Sequence, residues 1–145
     1  MKKALLALSL LGLVFTSCKK DNDEPKQITA TKANLVGTYV MIAATVSDGT
    51  TTTNVFNNSD ENLNWFDPCT RDDQYKLNAD LSYNVIDAGT VCSPSNNSSG
   101  TWDLTNSTTF IMDGDVATIK SFDGHTIVFE YDLGGGTKMT QTLKK

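Results

Sequence analysis

Residues 108–131 read TTFIMDGDVATIKSFDGHTIVFEY. Three short apolar alternations, Thr108–Met112, Val116–Phe122 and His125–Tyr131, are separated by Asp113-Gly114-Asp115 and Asp123-Gly124. Alternation with period two, rich in β-branched and aromatic residues, is a strand pattern. Asp-Gly pairs supply the positive-φ residues that tight hairpins need, so the three strands are read as consecutive antiparallel neighbours. Working outward, the same rhythm recurs at Val36–Val46, Gln74–Asn78, Leu81–Ile86 and Gly100–Leu104, and again at Lys138–Leu143. No segment from Leu35 onward carries a sustained helical period. The domain is therefore all-β. A meander of eight strands leaves two exposed edges, and closing the sheet on itself removes both. The pattern predicts an eight-stranded antiparallel up-and-down barrel, with an interior wide enough for side chains or one small ligand.

Period-two reading places Tyr39, Met41, Tyr75, Leu77, Tyr83, Val85, Trp102, Leu104, Phe110, Ile119, Ile127, Phe129 and Met139 on inward faces. Two stretches break the rhythm. Asp48–Asn64 is rich in Thr and Asn and ends in a helical turn that Ser59 would cap, placed across one barrel end; Asp87–Ser99, with Pro94 and Asn96-Asn97-Ser98-Ser99, reads as a mobile loop.

The chain has 145 residues, one domain's worth, and a net charge of -5. That balance argues against nucleic acid, whose phosphates need a Lys/Arg-rich face. A single histidine, His125, excludes multi-His metal sites and most imidazole catalysis. From Asp113 the calcium-loop pattern fails, because the next ligand position holds Ala117 and the twelfth holds Gly124. Asp113-Gly114-Asp115 is read as a turn, and Asp72-Asp73 as loop carboxylates near Arg71. With no nucleophile and base at a recognisable spacing, no enzymatic activity, metal or cofactor is expected.

The N-terminus carries its own signal. Met1-Lys2-Lys3 precedes an apolar run, Ala4–Phe15, too short for a spanning helix of about 20 residues. Phe15-Thr16-Ser17-Cys18 then resembles the lipobox of bacterial lipoproteins, although the family more often has Leu where Phe15 stands. The resemblance implies a signal peptide over 1–17, cleaved before a Cys18 that carries palmitate-type acyl chains. It also implies an outer-membrane anchor, with the domain on the periplasmic face or at the cell surface. Residues 18–34 are read as the lipidated Cys and a flexible tether, and 35–145 as the barrel domain.

Within that domain, Leu35-Val36-Gly37-Thr38-Tyr39, Cys69 followed by Asp72-Asp73 and Tyr75-Lys76-Leu77, Cys92, and Gly100-Thr101-Trp102 together resemble the lipocalin-like domain family of bacterial lipoproteins. Its Gly-x-Trp opening appears here as Gly-Thr-Tyr. The resemblance implies a barrel with an apolar cavity, and ligand candidates are Tyr39, Trp65, Tyr75, Tyr83, Trp102 and Phe129, with Tyr39 and Trp102 closing one end. With Cys18 assigned to lipid, Cys69 and Cys92 form an even pair in an exported chain, where a disulfide is the default; free thiols in a redox or metal site are the competing reading. The expected function is that of a monomeric, membrane-anchored carrier of a small apolar molecule. The alternatives are an accessory or inhibitor module that binds a protein partner through its loops around a solid barrel, and a structural envelope protein.

Overall fold

The computed structural model describes residues 26–145. The stretch read as a signal peptide, 1–17, and Cys18 lie outside the described residues. A short helix, α1 (Lys32–Leu35), precedes nine strands: β1 (Gly37–Ser47), β2 (Thr52–Asn54), β3 (Gln74–Leu77), β4 (Ser82–Ile86), β5 (Ser98–Asn106), β6 (Thr109–Met112), β7 (Asp115–Phe122), β8 (Thr126–Gly134) and β9 (Thr137–Lys144). Every pairing is antiparallel. Strands β3 to β9 follow one another as a meander, and β9 pairs back onto β1 from Lys144↔Val40 to Lys138↔Ser47, closing an eight-stranded barrel. The ninth strand, β2, was not foreseen from the sequence; it pairs with Thr45–Ser47, on the β1 edge that β3 leaves free.

Local chemistry sets the turns. Met112 pairs with Asp115 across Asp113 and Gly114, both at positive φ (49° and 94°), the backbone of a two-residue hairpin whose twist matches its strands. At the β7–β8 turn the Asp123 carboxylate accepts from the N–H groups of His125 and Thr126, at 2.8 and 2.6 Å. These turns confirm the Asp-Gly reading.

One barrel end is closed. Thr31 and Asn34 cap α1 reciprocally, which delivers Leu35, fully buried, into the base. The Tyr39 hydroxyl donates to the Leu35 carbonyl at 2.8 Å, and Trp102 Nε1 donates to the Asn78 carbonyl at 3.1 Å. The Lys145 ammonium lies 5.3 Å from the Tyr39 ring centre and donates to the Asn34 carbonyl. Tyr39 and Trp102 thus close the base together with Leu35 and Phe122. The tether reading for 18–34 is corrected over its last part: Ile28 N–H donates to the Phe122 carbonyl, Gln27 Oε1 accepts from Phe122 N–H, and Ala30 is buried. The chain is packed on the barrel from Gln27 onward.

Other expectations shift in detail. The helical turn is a 3-10 helix at Glu61–Leu63 capped by Asp60, whose carboxylate accepts from Asn62 N–H; Ser59 lies one residue too early. The Asp87–Ser99 stretch is held at several points. Asp87 accepts from Cys92 and Asn96 N–H, Asp72 from Thr90 N–H, and Asp73 from the Asn96 amide. The Cys69–Cys92 disulfide joins this loop to the 3-10 helix Pro68–Thr70.

Candidate functional site

The barrel interior is nearly solid. Trp102, Phe110 and Phe129 form a continuous aromatic row, with ring centres 5.9 and 4.7 Å apart. What remains is a cavity of about 30 Å³ between Tyr39, Tyr75, Phe110, Ile127 and Phe129. That holds a water or two, far below the roughly 300–1,000 Å³ of small-molecule sites.

Above it the barrel opens into a mouth of about 480 Å³. Opposite ends of the strands alternate around this opening: Met41 and Met139 come from β1 and β9, Met112 from the end of β6, Val116 from β7, and Tyr131 and Leu133 from β8. All three methionines of the described residues are there. Val116 and Leu133 are 57% and 45% exposed, so the rim presents apolar surface to water. Tyr75, Met112, Tyr131 and Gln141 line both the mouth and the small cavity below and make the floor between them.

The floor hydroxyls are held as neutral donors. Burial first, then the Asp115 charge and Tyr75, push Tyr131 up to about 12, and burial followed by the Asp73 charge raises Tyr75. Asp73 is fully buried, and only its Oδ2 has a donor, the Asn96 amide at 2.7 Å.

Of the residues expected to contact a ligand, Tyr39, Tyr75 and Phe129 line the interior cavity, and Tyr75 alone among the six reaches the mouth as well. Trp102 is packed into the base and lines neither the interior cavity nor the mouth. Tyr83 donates to Asp113 Oδ2 at 2.5 Å; that bond, with burial and the charges of Asp113 and Asp115, pushes it up to about 12. It serves the barrel wall. Trp65 is 56% exposed and does not line the mouth, whereas its neighbour Phe66 does. His125 is exposed in the β7–β8 turn, at the closed end.

Sequence reasoning missed Met112, Val116, Tyr131, Leu133 and Gln141 as mouth residues. The methionines were the available signal: Met112 ends one predicted strand and Met139 lies at the start of another that runs the opposite way, which puts both at the same end of the meander.

A family model described as a lipocalin-like domain matches residues 35–131. No curated protein and no solved structure matches the chain.

Proposed function

We propose, from the premise that the chain belongs to the lipocalin-like domain family, that it carries a small apolar molecule seated in the barrel mouth above a solid interior. The observation that carries this reading is the convergence of Met41, Met112 and Met139, with exposed Val116 and Leu133, on one concave surface. Methionine is unbranched and polarisable, and adapts to irregular apolar partners. Burial of apolar ligand surface supplies the affinity, while the Tyr75 and Tyr131 hydroxyls and the Gln141 amide orient any polar end. No bond is made or broken in this mechanism; the protein holds its cargo and does not transform it.

The carrier is anchored in the outer membrane through acyl chains on Cys18. In support, Gln27 and Ile28 bond to Phe122 at the closed end of the barrel, so a tether attached there leaves the mouth clear. The anchor is tested by Cys18→Ser in the native host: palmitate label and membrane association should both be lost. Retention of both would contradict it.

The ligand site is tested with N-phenyl-1-naphthylamine, a neutral dye that brightens in apolar surroundings. Residues 27–145 should bind it saturably, and Val116→Asp, which sets a charge in the mouth beside Asp115, should weaken binding by about tenfold or more, roughly 1.4 kcal/mol. Equal binding by the variant would place the dye elsewhere and overturn the reading.

A further inference from the structure

Beside the mouth lies a second basin, of about 430 Å³ and lined mainly by polar side chains, built by the chain from Asn57 to Arg71. Phe66 is a wall of both. We propose that this basin receives a neutral sugar headgroup, so that the carried molecule is a glycoside-type amphiphile with its apolar tail in the mouth. This rests on the mouth reading above and adds the class of ligand.

The basin's polar groups are fixed before any ligand arrives. Asn58 N–H donates to Asn64 Oδ1 at 2.7 Å, and the Asn64 amide donates back to the Asn58 carbonyl at 3.2 Å. The Arg71 guanidinium is held by two bonds, Nε to the Phe66 carbonyl at 3.1 Å and Nη1 to Asn57 Oδ1 at 3.3 Å. A guanidinium has five N–H donors, so three remain after these two bonds. The Asp67 carboxylate makes no capping bond to the 3-10 helix that it precedes, and neither Asp67 nor Glu61 is in an ion pair among the described residues.

A fixed fork of donors with two open carboxylates suits a polyol, each of whose hydroxyls donates one bond and accepts others. Because the frame is already ordered, little side-chain entropy is lost on binding. Phe66, half-buried and packed on Phe56 at 5.8 Å, offers an apolar surface for the C–H face of a sugar ring. Two carboxylates against one guanidinium disfavour an anionic headgroup. Phe66 then marks the boundary where the ligand changes from tail to head.

The test compares three probes with one eight-carbon tail: n-octyl β-D-glucopyranoside below its micelle concentration, 1-octanol and octylamine. Binding is followed by isothermal titration with residues 27–145. The glucoside should bind at least fivefold more tightly than either of the others, and Glu61→Gln with Asp67→Asn should abolish that preference while octanol binding stays unchanged. Equal binding of glucoside and octanol, a preference for octylamine, or a glucoside preference that survives the double variant overturns the inference and leaves the mouth reading standing. Failure of all three probes to bind overturns both.

Discussion

Asp113 joins three parts of the barrel wall. Its carboxylate accepts from the Tyr83 hydroxyl and from Thr101 N–H, and both interactions draw its pKa below the usual carboxylate range, the Tyr83 bond contributing most. The carboxylate lies directly against the Cα of Gly100, where a Cβ would collide with it. Gly100→Ala should therefore cost about 1–3 kcal/mol, the range for forcing an extra methyl into a packed site, although Gly100 sits in a strand where alanine is ordinarily the better residue. Denaturant unfolding measures this, and a neutral or stabilising effect would show that Asp113 moves aside freely. None of this was legible from the sequence, because the contact joins β4, β5 and the β6–β7 turn, and only the closed fold brings them together. Trp102 presents the opposite case: an aromatic at an inward position is readable, and the structure buries it. It closes the base with Tyr39, as expected, and packed there it lines neither the interior cavity nor the mouth.

At the scale of the element, the turns are stabilised by aspartates that accept backbone or hydroxyl hydrogen bonds. The Thr51 N–H, followed by Thr50, holds Asp48 at about 2; the Ser82 hydroxyl and N–H lower Asp80; Thr126 N–H, then His125, lower Asp123. A carboxylate whose folded pKa lies below its unfolded value of about 3.9 contributes stability above that value and loses it as pH falls through the folded pKa. The thermal midpoint should hold level from pH 7 to about 5 and fall between about 4 and 2. A midpoint unchanged at pH 2.5 would contradict the role given to these turns. Braces of another kind hold the 87–97 loop, whose disulfide encloses a loop with Cys69 and Cys92 23 positions apart. Replacing both cysteines by serine should cost roughly 3 kcal/mol by the chain-entropy model, again read by denaturant unfolding. All eight barrel strands were legible because alternation and Asp-Gly turns are local signals. Bulges were not. A register shift between Met41 and Ala43, and another between Ile119 and Ser121, invert the alternation, so Ala44 and Phe122 face the core where strict period two turns them outward. The strand β2 escaped notice for a different reason: Thr52-Thr53-Asn54 has no apolar face and forms only because β1 offers it an edge.

Taken whole, the molecule is a barrel closed at its base by a helix and filled by an aromatic row, so the mouth's open volume lies at its other end. The sequence led to the correct architecture and to a cavity set too deep. Inward-facing aromatics are identified by parity alone, whereas the position of empty volume depends on how completely they fill the space between strands, and here they leave about 30 Å³. The mouth drew on residues at strand ends and on Phe66 from a long connection, where periodicity says nothing. Because Met41, Met112 and Met139 all line that mouth and no other methionine occurs among the described residues, methyl-labelled methionine reports on the site directly. The decisive measurement is a carbon-13 methyl-methionine NMR titration of residues 27–145 with n-octyl β-D-glucopyranoside, alongside proton resonances of the Phe129 and Trp102 rings. The expected result is saturable shifts of all three methyl signals with the buried rings unmoved; unchanged methyl signals, or ring resonances that shift first, would contradict a ligand seated in the mouth above a solid core.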